Sequence, residues 1–176
     1  MKTPVSLLCL LLLLLPGAVW AAILPDGLYR VTVAESEMTV TAAGRSTGAR
    51  VCIQKNDSAV WKLRHRGNDI YELWLDGKVL DSKESKVFNG VHIIIWPRHG
   101  EGNQQWKITR AGAHYRLTCV WTKLALDLKD NRRENGNTLQ GHTPTSSTGQ
   151  LFDLTPIKAD APQKKETPQK PAFIGH

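Results

Sequence analysis

Three phrases recur in this chain in one order and at nearly one period. Tyr29-Arg30-Val31, Tyr71-Glu72-Leu73 and Tyr115-Arg116-Leu117 each open a block, 42 and then 44 residues apart. Each block carries a glycine further on, at Gly48, Gly90 and Gly136. Each closes on an aromatic flanked by apolar and polar neighbours: Val60-Trp61-Lys62-Leu63, Gln105-Trp106-Lys107-Ile108 and Leu151-Phe152-Asp153-Leu154. A fixed period of this length marks a repeat architecture, whose units bury their apolar faces against one another. With only three units, the spacing predicts closure around a shared axis.

Within each block the pattern is that of strands. Tyr29 to Val33 alternates with period two, and Val91 to Trp96 is rich in β-branched residues. Clusters of Gly, Asn, Asp and Ser separate the short runs, and no stretch keeps helical periodicity for three turns. About four short strands per block predicts an all-β domain of roughly twelve strands, a barrel or capped barrel.

The ends read differently. Lys2, the apolar run Val5 to Leu15, the break at Pro16-Gly17 and small residues near Ala21 have the layout of a secretory signal peptide, residues 1–21. The run is short of the roughly 20 apolar residues a membrane span needs, so a secreted protein with no transmembrane segment is expected. From residue 156 to residue 176 prolines and lysines replace apolar clusters, which predicts a flexible tail. The domain lies between, at residues 22–155. Net charge is +7 for the chain, but several of those charges belong to the two ends. Lys62, Arg64 and Arg66 alternate as an exposed strand face would, and read first as a solvated polar face rather than one that favours anionic surfaces. Two cysteines remain after the leader, Cys52 and Cys119. Cys119 falls on the inward face of its strand and Cys52 on the outward face, so the two are expected not to pair.

The second and third blocks share more than their landmarks. Val79-Leu80-Asp81 is followed by Asn89-Gly90, Trp96-Pro97 and Asn103-Gln104-Gln105-Trp106. Ala125-Leu126-Asp127 is followed by Asn135-Gly136, Gln140-Gly141-His142 and Gly149-Gln150-Leu151-Phe152. Asp81 and Trp96 are fifteen residues apart, as are Asp127 and His142. This pattern resembles the ricin B-chain lectin family, whose repeats end in Gln-any-Trp, and the likeness covers essentially the whole domain. It implies a β-trefoil of three repeats with pseudo-threefold symmetry. It also implies an Asp that accepts from two sugar hydroxyls, an aromatic that stacks on the sugar, and an Asn that adds a polar contact. A carboxylate suits a diol because it offers two oxygens and several lone pairs, and a flat ring covers C–H surface.

Carried over residue by residue, the resemblance assigns carbohydrate binding to Asp81, Trp96 and Asn103 in the second block, and to Asp127, Gln140 and His142 in the third. Three positions depart from the family pattern. Ile94 stands where the family often has Gln, Gly149 stands where the Asn would be, and His142 replaces the larger aromatic. In the first block, counting back from Gly48 puts Thr39 at the Asp position and Gln54 at the platform, so no sugar pocket is expected there. Trp61, Trp106 and Phe152 read as core, and Gln104 and Gln150 as loop braces. Asn56-Asp57-Ser58 is a glycosylation acceptor motif.

The expectation is a secreted lectin for galactose-type terminal sugars on glycoproteins or glycolipids. It would have no cofactor, no metal, no catalysis and no nucleic-acid partner. A secreted β-trefoil protease inhibitor acting through an exposed loop is the alternative, since fold does not fix function.

Overall fold

The computed structural model describes residues 23–158. The signal segment expected at 1–21, and the tail from residue 159 onward, lie outside the described residues. Twelve strands follow in order: β1 (Gly27–Val33), β2 (Met38–Ala42), β3 (Val51–Lys55), β4 (Trp61–His65), β5 (Ile70–Leu75) and β6 (Lys78–Ser82). The second half adds β7 (Val91–Trp96), β8 (Trp106–Ala111), β9 (His114–Cys119), β10 (Ala125–Leu128), β11 (Leu139–His142) and β12 (Phe152–Pro156). No α-helix occurs among the described residues, only four short 3₁₀ turns. The ladder runs slightly past the composition change at Thr155: β12 includes Pro156, and the Ile157 amide donates to the Leu28 carbonyl at 2.8 Å.

Six strands close on themselves. β1 pairs with β4, β4 with β5, β5 with β8, β8 with β9, β9 with β12, and β12 returns to β1, all antiparallel. Closure removes the free sheet edges that would otherwise template aggregation. The remaining strands form three hairpins, β2–β3, β6–β7 and β10–β11.

The landmarks of the sequence have structural counterparts. Each opening tyrosine stands opposite the closing aromatic of its own block: Tyr29 opposite Trp61, Tyr71 opposite Trp106, Tyr115 opposite Phe152. Trp61, Trp106 and Phe152 are fully buried in one apolar cluster with Val31, Leu73 and Leu117. The two indoles also satisfy their N–H groups, donating to the carbonyls of Val40 and Leu80 at 2.8 and 3.0 Å. Burying a Trp while pairing its N–H avoids the penalty of an orphaned donor.

The three glycines have positive φ, +85° at Gly48, +90° at Gly90 and +81° at Gly136, a region unfavourable to residues with a Cβ. Their amides link the hairpins in a cycle. Gly48 donates to Ile95, Gly90 to Gly141 and Gly136 to Ile53. Each glycine therefore turns the chain at the hairpin end and ties its block to the next.

Cys52 and Cys119 are both buried and free. Cys119 belongs to the apolar cluster, while Val51 and Ile53, not Cys52, take the inward places on β3. The alternation that argued against a bridge is the alternation seen.

Candidate functional site

The β6–β7 hairpin positions the second-block residues. Asp81 lies opposite Ile94 across the ladder and Val79 lies opposite Trp96. Side chains alternate across a strand, so Ile93 and Ile95 enter the core while Ile94 and Trp96 face away from it. A 3₁₀ turn at Lys83–Ser85 follows Asp81, and another at Gly102–Gln104 brings Asn103 back over it. Asp81, Ile94, Trp96, His99 and Asn103 then line one cleft of about 430 Å³. All three residues expected to act together in this block are brought together. Trp96 is 41% exposed, unusual for an indole, and its ring edge lies over Gly48.

Asp81 is 3% exposed and heavily bonded. Asn103 donates to its Oδ1 at 3.1 Å and Gln104 donates to its Oδ2 at 2.8 Å. His99 Nε2 lies 3.4 Å from Oδ2. Burial pushes the Asp81 carboxyl above the usual carboxylate range, and the bonds from Gln104, His99 and Asn103 only partly oppose that. An ionised carboxylate has about four lone-pair sites, so Oδ1 retains acceptor capacity beside Asn103, while Oδ2 is shared by Gln104 and His99. Asn103 Oδ1 is buried with no hydrogen-bond partner.

Sequence reasoning missed two members of this arrangement. Gln104 does brace a loop as expected, accepting from the His99 and Gly100 amides and donating to the Pro97 carbonyl. It also fixes the Asp81 carboxylate, a role that one-dimensional spacing could not reveal. His99 follows the platform by three residues and carried no signal beyond its proximity to Trp96.

The third block is built on the same frame with different contents. Asp127 lies opposite Gln140 and Ala125 opposite His142, the rungs that Asp81–Ile94 and Val79–Trp96 occupy. Gln140 donates to Asp127 Oδ2 at 2.7 Å, so these two expected residues do meet. The His142 ring does not join them by a hydrogen bond: its Nδ1 lies 3.1 Å from the Thr143 carbonyl. Gln150 braces its loop through the Thr145 amide and the Thr143 carbonyl. Gly149 offers no side chain, and a Cβ there would sit 2.9 Å from Asn131 Oδ1. Asn131 has taken the space that an asparagine at position 149 would need.

The first block corrects the counting used on the sequence. Trp61 donates to Val40 as Trp106 donates to Leu80, which makes Thr41, not Thr39, the counterpart of Asp81. Thr41 lies opposite Cys52, and Thr39 lies opposite the platform counterpart Gln54. The error arose because the β2–β3 loop is two residues shorter between Thr41 and Gly48 than the corresponding stretches from Asp81 to Gly90 and Asp127 to Gly136. No carboxylate and no ring occupies either position. Asn56, the glycosylation candidate, is exposed at the end of β3 with φ of +59°.

These features define an all-β barrel capped by hairpins, with a carboxylate and an exposed ring in one cleft. The ricin-type β-trefoil lectin domain matches residues 19–106, half of the chain, and a related ricin-type β-trefoil lectin domain-like family matches residues 74–142. The chain belongs to the ricin-type β-trefoil lectin family. It is 31% identical over 87 residues to the main hemagglutinin component type C of a Clostridium botulinum C phage, an alignment covering 46% of this chain and 30% of that protein. The chain thus spans less than a third of that relative's length. Among solved structures it resembles the designed threefold protein ThreeFoil, with a TM-score of 0.72 and 24% identity over 75% of this chain and all of that one. The Rhizoctonia solani agglutinin gives a TM-score of 0.68 and 15% identity over 76% of this chain and 97% of that one. The family supports a carbohydrate-binding role.

Proposed function

We propose that the protein is a secreted, non-catalytic lectin for galactose-type terminal sugars on glycoproteins or glycolipids. In this reading the second block supplies the principal pocket and the third a weaker one. The observation that carries it is the convergence of Asp81, Trp96 and Asn103 on one cleft. Asp81 accepts a sugar hydroxyl at Oδ1, and a second at Oδ2 where the hydroxyl replaces His99. Trp96 covers an apolar sugar face, and Asn103 adds a polar contact beside the carboxylate it holds. Ile94 offers only apolar contact where the third block has Gln140. A few hydrogen bonds and one stacked ring give affinity on the order of millimolar, so useful retention needs surfaces that display many copies of the sugar.

The three blocks in this reading stand about a pseudo-threefold axis, which the recurring tyrosine–aromatic pairs and the glycine cycle support. Superposing the blocks on their closing aromatics is the check. The expected signal peptide, cleaved near Ala21, is tested by sequencing the amino terminus of the protein recovered from culture medium.

The test of binding is a glycan array followed by titration with galactose. Wild-type protein is expected to saturate, and Asp81→Ala to lose most of the response. No galactosyl glycan retained by wild type, or equal retention of Asp81→Ala, would refute the assignment.

A further inference from the structure

A second cleft, of about 520 Å³, opens over β4 and β5. Its lining includes Lys62, Arg64, Arg66, Trp74 and Arg98, with Asp26 beside Arg64. Beneath it lies Glu72, whose side chain is fully buried. Glu72 Oε1 accepts from Arg98 Nε at 2.9 Å, and Oε2 accepts from Arg66 and, at 3.3 Å, from the Trp74 indole.

A buried carboxylate is costly unless it is paired. Here its charged partners are two guanidiniums that remain 40% and 44% exposed and line the cleft. Each lends one N–H to Glu72 and keeps others of its five donors, now held in a fixed fork. Four cations face two carboxylates, leaving the cleft with a net positive charge of two. Such a site attracts an oxyanion and meets it with preorganised donors.

The position of the cleft narrows the ligand. Lys62 lies opposite Trp74, Trp74 opposite Val79, and Val79 opposite Trp96, one continuous row across four strands. Neighbouring strands are about 4.8 Å apart, so the backbone at Trp74 and that at Trp96 are separated by roughly 10 Å with Val79 between them. Arg98 and His99 are consecutive, one lining each cleft.

We propose that this cleft is an anion-binding subsite that takes a sulfate or carboxylate substituent of a saccharide seated at Asp81 and Trp96. The saccharide part of this inference rests on the sugar-binding reading above; the anion site stands on its own geometry. Lys62 and Arg64 are the residues to change, because neither holds Glu72 and both are exposed.

The experiment titrates the protein with a neutral galactosyl oligosaccharide and with its sulfated and sialylated forms, at low and high salt. At least one acidic form is expected to bind about ten-fold more tightly than the neutral parent at low salt, the gain of roughly one charge-assisted hydrogen bond. The gain should shrink at high salt. It should shrink severalfold in the Lys62→Ala/Arg64→Ala double variant, which removes the net positive charge of the cleft while leaving Arg66 and Arg98 on Glu72, with neutral binding unchanged. Equal affinity for all three forms, or a gain undiminished in the double variant, overturns the proposal. Anionic vesicles bound through Lys62 and Arg64 without any acidic-saccharide gain would overturn it in favour of a lipid surface. Should the neutral parent itself not bind, the lectin reading fails, and the anion site is judged on inorganic sulfate. Saturable shifts of the Trp74 indole and arginine Nε resonances would then support it, and their absence would refute it.

Discussion

Asp81 and Asp127 occupy the same rung of two hairpins, yet the groups that hold them arrive from different directions. Asp81 is gripped from the following loop by Asn103 and Gln104, with His99 beside it, which leaves the cross-strand side apolar at Ile94. Asp127 is gripped across the strand by Gln140, while its loop contributes only Gly149 and the intruding Asn131. The first arrangement leaves an open cleft with a broad indole on its wall. The second places a hydrogen bond across the rung and ties its smaller ring to its own backbone. One frame thus carries two unlike carboxylate surroundings, and the difference lies both in the loops and in two ladder positions, where Ile94 and Trp96 stand against Gln140 and His142.

The largest effect should separate the two carboxylates. Asp81→Ala is expected to weaken galactose binding by about 1–3 kcal/mol, the cost of losing a charged acceptor, whereas Asp127→Ala should change the total only slightly. Isothermal titration of both variants measures this directly, and equal losses would break the comparison.

A smaller effect is expected from giving the second block the platform of the third. Trp96→His removes the larger stacking face and should cost about 0.5–1.5 kcal/mol, with little loss of fold stability because Trp96 is so exposed. Thermal melts run beside the titration separate these two quantities.

Acidification gives a third, graded effect. Burial has raised the Asp81 pKa, so this group protonates before an ordinary aspartate does, and binding that needs its ionised form weakens as pH falls through that raised value. Stability has the opposite sign: the folded state holds the proton more tightly than the unfolded chain. The Asp81 contribution therefore falls as pH rises from the unfolded to the folded pKa. Melting wild type and Asp81→Ala across that interval should show wild type gaining relative stability toward acid.

The smallest effect tests the third block. Gly149→Asn alone is expected to give no binding gain, because its Cβ would crowd Asn131. Combined with Asn131→Ser, which copies Ser85 of the second block, it should raise third-block affinity by a few-fold, as one neutral hydrogen bond allows. An equal gain from the single change would show that Asn131 is not the obstacle.

Much of this molecule could be read along the chain because its units repeat. The period located the tyrosines, the glycines and the closing aromatics, and alternation on β3 and β9 placed the two cysteines on opposite faces of their strands. Equal spacing from Asp81 to Trp96 and from Asp127 to His142 marked equivalent rungs, since strand geometry makes residue number a measure of distance within a hairpin. The same counting failed in the first block, where a loop two residues shorter moved Thr41 into the place assigned to Thr39.

The sequence by itself determined which residues face the core and which rungs carry a carboxylate, because those properties follow from local alternation and from a period carried in the chain. Only the tertiary structure decided what surrounds each carboxylate. Gln104 on Asp81, Asn131 against Gly149, and Arg66 and Arg98 closing over Glu72 are contacts between segments with no shared period. Such contacts depend on where loops land after the barrel closes, and side-chain hydrogen bonds act only over about 3 Å, a precision that spacing along a chain does not carry.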